Sequence, residues 1–468
     1  VQARRPFHSF PLDRAVDWAK ELGRPLMVFE PLRCDYPWAS DRLHRFVIDG
    51  MESNRRAFQD LPVCYYPFVE PGPGQTRALL DALSARACII VTDDYPCFFL
   101  PQAIAAAAQR LPVALESVDG NGILPLATAD RAFTAAVHYR RYMQRELRGA
   151  LRTLPRPTPL SDVDLPSLTL DAATRRQWPP VSEALFSGDA TALRALPIDH
   201  EVPAVEMRGG WDRARAGLER FVRRHLATYH DGHNHPDDEA TSRMSPYLHF
   251  GHISAHEIFT AVMRHEKWSI GRLGSKATGL REGWWGVGPG AEAFLDQLVV
   301  WRELGFNTSS RRPDDYDKFE SLPEWARRTL SEHASDPRPY VYTREQFERA
   351  ETHDPLWNAA QMEMRQDGWF HNYMRMLWGK KILEWSASPE EALQTMIAIM
   401  DRWSLDGRDP NSYSGYMWTL GKYDRPWPER EVFGTVRSMS SVNTAKKVRV
   451  KNYLSRFSRQ PGLGFGQG

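Results

Sequence analysis

Between Thr352 and Phe433 the chain gathers seven tryptophans, Trp357, Trp369, Trp378, Trp385, Trp403, Trp418 and Trp427, together with Arg375, Asp406, Arg408 and Asp409. Indole rings exclude water, pack face to face and can give up an electron, while guanidinium and carboxylate groups bind polar edges. A plain apolar core accounts for a tryptophan stripe, but charged side chains are seldom buried unless they are paired or contact a polar ligand. A large, flat, partly polar ligand satisfies both halves of this pattern.

The elements that must position these residues are legible around them. Asn358 to Trp385 contains no proline and its apolar residues recur at helical spacing, which predicts two helices broken near Asp367-Gly368. Trp378 and Trp385, seven residues apart, fall on one helix face with Arg375 on the same helix. A connecting helix and the turn Asp406-Gly407-Arg408-Asp409-Pro410-Asn411 follow. Upstream, WDRARAGLERFVRRHLATY from Trp211 carries Leu218, Phe221, Val222 and Leu226 at amphipathic helical spacing. His230, His233 and His235 lie in the polar turn after it; with no cysteine nearby, no metal site is expected. Thr241, Ser242 and Ser245 cluster just before an aromatic-bearing helix, where free backbone N–H groups favour an anion such as phosphate, simple helix capping being the other reading.

The chain has 468 residues, long for one core, so two or three domains are expected. Its 42% hydrophobic and 25% charged content is that of a soluble globular protein, and a net charge of +1 provides no global field for nucleic acid, so any basic surface must be local. Cys34, Cys64, Cys88 and Cys97 lack metal-ligand spacing, which suggests a reducing, cytoplasmic setting. No apolar run approaches the ~20 residues that span a bilayer, and no secretory signal opens the chain.

Residues 1–150 alternate short apolar runs, at 25–30, 63–69, 87–94 and 113–119, with helical patterns around 42–58, 75–86 and 101–111. This alternation predicts an α/β domain with a parallel, Rossmann-like sheet, whose ligands would bind at strand ends, after Glu30, Val69, Asp94 and Asp119. No GxGxxG follows the first strand and no P-loop occurs; GNG at 120–122 is too short to count. LPRPTPLSDVDLP at 154–166 has the composition of a linker, and 167–205 is expected to be a surface connection with one or two short helices. The expected division is therefore 1–150 α/β, 151–208 linker, and 209–468 all-α.

TSRMSPYLHFGHIS at 241–254, FLDQLVVWRELGFN at 294–307, THDPLWNAAQ, HNYMRMLWGKKILEW, LDGRDPN and DRPWPEREVFG occur in an order that resembles the photolyase/cryptochrome family, and within it the class II cyclobutane pyrimidine dimer photolyases. The resemblance covers roughly residues 210–455 closely and the N-terminal domain loosely. It implies an antenna-type α/β domain, a linker and an all-α FAD-binding domain. By motif it places Tyr229, Thr241, Ser242, Met244, Ser245, Arg302, Asn372, Arg375, Met400 and Asp406 against FAD, with Arg375 and Asp406 as an ion pair. Trp357, Trp378 and Trp385 match an electron-transfer chain, and Gln297, Trp301, Met376 and Trp418 match the pocket for a dimer flipped from DNA. Arg311, Arg312, Lys446 and Lys447 would supply phosphate contacts, and Arg449 and Lys451 lie in the same basic run, which could equally be a solvated tail. The resemblance thus implies blue-light-driven repair of DNA by a monomer, with a deazaflavin or folate antenna that no motif here identifies.

Three positions depart from the family pattern. Gln297 stands where an acidic residue hydrogen-bonds the dimer, Met400 where an asparagine faces flavin N5, and FGTVRSMS, with Thr435 and Ser438, where lysine and tyrosine are usual. A neutral amide still hydrogen-bonds but supplies no carboxyl chemistry, and a thioether donates no hydrogen bond. The alternative is therefore a photolyase-like flavoprotein without dimer repair, either a cryptochrome-like photoreceptor or a flavoenzyme with another substrate.

Overall fold

The computed structural model describes residues 2–458 and divides the chain into two compact units. One comprises residues 1–227, 242–313 and 408–411; the other comprises 228–241, 314–407 and 412–468.

The first unit contains the α/β part. Strands β1 (Met27–Leu32), β2 (Cys64–Val69), β3 (Ile90–Asp93) and β4 (Leu115–Val118) alternate with helices Asp41–Phe58, Gln75–Ser84 and Leu100–Arg110, as the sequence predicts. The continuous sheet does not form. Among the described residues, β1 pairs in parallel with β2, and β3 with β4, as two separate ladders. Pro31 in β1 and Pro67 in β2 have no N–H to donate sideways, which suits strands that end a ladder, and β3 and β4 are only four residues long. The alternation pattern also misses a helix before β1, Phe10–Leu22, capped by Ser9 and closed by Gly23 at φ 60°. Its Arg14 and Trp18 reach Glu116 on β4, at 2.8 and 2.6 Å.

The strand ends carry carboxylates used for structure. Glu70, just after β2, accepts from the backbone N–H groups of Cys34 and Thr76, at 3.0 and 2.8 Å. Asp119, after β4, accepts from Leu126 N–H at 2.6 Å. Glu30 lies inside β1, which continues to Leu32, so the turn nominated there begins two residues later. In 167–205 three helices form, not one or two: Ala172–Gln177, Glu183–Ser187 and Ala190–Arg194, each opened by a side-chain cap, from Asp171, Ser182 and Asp189. The rest of this unit is helical, including Trp211–Arg224, Ser245–His249, Ala255–His265, Pro289–Leu295 and Arg302–Arg311.

The second unit is all-α. Pro355–Asp367 and Asn372–Trp385 are the expected pair, separated at Gly368, which takes φ 68° to end the first helix. Asp354 caps the first through Leu356 and Trp357 N–H, both at 3.0 Å. Pro389–Trp403 is the connecting helix, capped by Ser388 with proline in its first turn. A Cβ added to Gly379 would meet Thr419 Cγ2 at 2.6 Å and Met396 Sδ at 3.0 Å, so this glycine permits close helix packing.

Candidate active site

In the second unit, the Asn372–Trp385 helix carries both the charged and the aromatic groups. Arg375 Nη2 lies 3.1 and 2.8 Å from the two Asp406 carboxylate oxygens. Its Nε donates to the Phe370 carbonyl at 3.2 Å, and its guanidinium sits 4.8 Å above the Phe370 ring. Asp406 is held in turn by Ser404 Oγ, 2.6 Å from Oδ1. A buried carboxylate is tolerated here because each oxygen has a donor.

Three residues beyond Arg375, Trp378 stacks on Trp357 with centroids 6.4 Å and planes 6° apart. Trp357 meets Trp385 edge-on at 6.1 Å. Two of the three indole N–H groups are satisfied on the way: Trp357 Nε1 donates to the Trp378 carbonyl at 3.0 Å and Trp378 Nε1 to Gln361 Oε1 at 2.8 Å. All three rings are 0–2% exposed. The chain order in space is therefore Trp378, Trp357, Trp385, which differs from the order in sequence.

The other residues of this unit fall as follows. Tyr229 is buried and stacks on His233 at 4.6 Å. Thr241, Met376 and Trp418 are half-buried, and Asn372 is exposed at the first turn of its helix. Met400 is 2% exposed. Gly415, in the helix Pro410–Thr419 that carries Trp418, has nothing within 4 Å of where a Cβ would stand. Lys446 and Lys447 are exposed in the last turn of Ser441–Lys447, while Arg449 is paired with Asp238. Thr435 N–H donates to Thr329 Oγ1 at 2.9 Å.

In the first unit, Gln297 and Trp301 lie on a π-turn, Asp296–Trp301, set between the helices Pro289–Leu295 and Arg302–Arg311. Such turns widen a helix locally and often mark functional positions. Beneath it, Arg140 grips Asp296 through both carboxylate oxygens, at 2.8 and 3.2 Å. Gln297 and Trp301 are half-buried. Arg302 is buried; its Nη1 donates to the Asn121 carbonyl at 2.7 Å and its guanidinium lies 4.3 Å over Phe306. Ser242 and Met244 precede a helix of only five residues, Ser245–His249, of which Ser245, expected before it, is the first residue; Ser242 Oγ accepts from Met244 N–H at 3.4 Å. Arg311 Nη2 donates to the Leu126 carbonyl at 2.8 Å; Arg312 is half-buried at the helix end.

Several groups carry no linear signal. Glu303 accepts from Ile123 and Leu124 N–H at 2.7 and 3.2 Å and from the Tyr139 hydroxyl at 3.3 Å. Burial pushes its carboxyl up to about 7, against the pull of those N–H groups and of Arg302. Arg302 and Glu303 thus grip the same GNG loop, and a Cβ on Gly122 would meet Glu303 Cδ at 2.6 Å. Tyr95 donates to Asp409 Oδ2 at 2.9 Å, with His249 Nδ1 3.4 Å from the same oxygen. Burial raises the Asp409 carboxyl, but His249 and Arg302 outweigh it and hold it below the usual range. Burial and the Asp409 carboxylate raise the Tyr95 phenol well above its usual value. Lys380, buried on the tryptophan-bearing helix, is lowered to about 7 by burial and donates to the Thr419 carbonyl at 2.5 Å.

A flavin is a fair test of these residues. Arg375 Nη1 has no partner among the described residues, so one polar edge of the guanidinium is unspent. This fits a ligand with hydrogen-bond acceptors on its rim. Among the described residues, no helix is long and apolar enough to cross a membrane and no group of three His, Cys, Asp or Glu is placed to hold a metal.

No family model matches the chain. It is 34% identical over 97% of its length to the deoxyribodipyrimidine photo-lyase of Methanothermobacter thermautotrophicus, covering 92% of that protein. It is also 34% identical to the deoxyribodipyrimidine photo-lyases of rice (Oryza sativa), over 89% of this chain and 78% of the relative, and of Potorous tridactylus, over 90% and 73%. A crystal structure of a class III photolyase from Agrobacterium tumefaciens superposes with a TM-score of 0.65 at 14% identity, covering 97% of this chain and 84% of that one, a likeness of fold. With relatives at this identity spanning nearly all of its length, the chain belongs to the photolyase/cryptochrome family.

Proposed function

We propose that the chain is a class II-like deoxyribodipyrimidine photo-lyase that repairs cyclobutane pyrimidine dimers in DNA under blue light, using FAD. The single observation that carries the reading is the placement, on one helix, of Arg375, ion-paired to Asp406 from the turn after the connecting helix, and of the Trp378 end of the ring chain. The naming of the relatives as deoxyribodipyrimidine photo-lyases supports the substrate class.

Bound FAD would supply light absorption and one-electron donation to the dimer. In this reading Tyr229, Thr241, Ser242, Met244, Ser245, Arg302, Asn372, Arg375, Met400 and Asp406 hold it. Arg375, fixed by Asp406, places a positive charge that favours an electron-rich ring by Coulomb attraction, which is stronger where water is excluded. Trp301, Met376 and Trp418, all half-buried, would offer apolar faces to the unpaired bases, offsetting the few kcal/mol that flipping costs. The Gln297 amide would donate to a dimer carbonyl. Trp378, Trp357 and Trp385 would refill the cofactor with electrons, each indole passing the hole outward to the next. Arg311, Arg312, Lys446 and Lys447 would contact DNA phosphates. Residues 1–150 would serve as an antenna-type domain, with a deazaflavin or folate as its ligand class, 151–208 as linker, and 209–468 as the FAD-binding part of a monomer. Four cysteines outside any disulfide fit a reducing, cytoplasmic setting.

A second reading, a photolyase-like flavoprotein that does not split dimers, is favoured by Gln297 and by the buried thioether of Met400. A repair assay separates the two: reduced protein and a thymine-dimer oligonucleotide, in blue light and in darkness. Light-dependent restoration of thymines supports the first reading; photoreduction of the flavin with persistent dimers supports the second and overturns the first.

A further inference from the structure

The ring chain continues past Trp385. Tyr342 lies edge-on to Trp385 at 5.8 Å, and its backbone N–H donates to the Trp385 carbonyl at 3.0 Å. Beyond it, Tyr340 is parallel to Tyr342, with planes 3° and centroids 6.4 Å apart, and the residue is 47% exposed, against 2% for Trp385. His353 closes the group. Its ring stacks on Tyr340 at 3.7 Å, and its Nδ1 is 2.8 Å from the Tyr342 hydroxyl.

The backbone N–H of His353 donates to the Tyr342 hydroxyl oxygen at 3.0 Å. The oxygen thus already accepts one hydrogen bond, and its own hydrogen reaches His353 Nδ1 when the imidazole is the Nε2–H tautomer. Trp385 differs: no acceptor for its Nε1 lies among the described residues, and Lys381 Nζ sits 5.2 Å over its ring. A positive charge on that indole is disfavoured by the lysine, with partial relief from Glu384, 2.6 Å from Nζ.

We propose that Tyr342 and His353 form a proton-coupled outer terminus of the tryptophan chain. The proposal rests on the photoreduction reading above. When Trp385 has lost one electron inward to the photoexcited flavin, Tyr342 gives one electron to the Trp385 radical cation while its phenolic proton moves to His353 Nδ1. The products are neutral Trp385, a neutral tyrosyl radical at Tyr342 and an imidazolium at His353. A thiolate in solution, reached through the exposed Tyr340 edge, then returns one electron to Tyr342, and His353 returns the proton. Separating the hole from its proton in this way slows the backward reaction, because recombination must move both.

The test is flash absorption spectroscopy on the flavin-loaded protein. A tryptophan radical should be succeeded by a tyrosyl radical, with a slower step in deuterated water. Tyr342→Phe keeps the ring packing and removes the hydroxyl; it should abolish the tyrosyl signal and shorten the charge-separated state several-fold. His353→Phe should lower the tyrosyl yield while keeping the stack. Without flavin, nitrogen NMR of histidine-labelled apoprotein should report His353 as the Nε2–H tautomer, perturbed by Tyr342→Phe; an Nδ1–H tautomer would overturn the assignment of the proton acceptor. If Tyr342→Phe decays like the parent while Trp378→Phe loses photoreduction, the tyrosine terminus is wrong and the tryptophan relay stands. If the parent forms no tryptophan radical, both are wrong.

Discussion

Trp357 and Trp378 lie as nearly parallel rings, 6° from coplanar directions and 6.4 Å between centroids, tied by the hydrogen bond from Trp357 Nε1 to the Trp378 carbonyl. The bond spans the two helices of the pair, so ring spacing is set by helix packing as well as by side-chain choice. Replacing Trp378 with Phe should leave the flavin bound and slow its photoreduction at least ~10-fold, a change of only about 1.4 kcal/mol in barrier. Unchanged photoreduction, followed by flavin absorbance under blue light, would sink the relay.

Arg375 and Asp406 are a second paired element, with Asp406 only 3% exposed. Removing the cation takes two hydrogen bonds from a buried carboxylate that Ser404 Oγ also donates to. Arg375→Met should therefore destabilise the protein by about 3 kcal/mol in urea unfolding, and Arg375→Met with Asp406→Leu should recover most of the loss. A double variant no more stable than the single one would show that the charge pair is not the source of the effect.

Gln297 is half-buried on the π-turn. A carboxylate in place of the amide would accept from a pyrimidine N3–H rather than donate to a carbonyl, and a hydrogen bond to a charged group contributes roughly 1 kcal/mol more than a neutral one, so Gln297→Glu should raise the rate of dimer repair roughly five-fold. No gain in a variant that still binds dimer-containing DNA would count against the pocket assignment.

Glu303 gives a pH test. Its carboxyl is raised from 4.5 to about 7, chiefly by burial. Between those values the folded protein holds a proton that the unfolded chain has released, so this group's contribution to stability is fully present below about pH 4.5 and is lost as pH rises through 7. The loss is roughly 3 kcal/mol. Glu303→Gln should flatten the stability profile across that window relative to the parent; parallel profiles would show that Glu303 is ionised throughout.

Local pattern determined much of this protein. The helix pair broken at Gly368, the order of β1 to β4 with their intervening helices, and the motifs that resemble the photolyase/cryptochrome family all follow from period, caps and residue type over short spans. Tertiary structure alone decided the rest, because it depends on partners far apart in the chain. The strands pair as two separate ladders, β1 with β2 and β3 with β4, and the ring order Trp378, Trp357, Trp385 came from helix packing. The grip of Arg302 and Glu303 on residues 121–124 and the Tyr342–His353 contact join groups whose meeting no linear spacing encodes, since hydrogen bonds and ring contacts are made in space after the helices have packed.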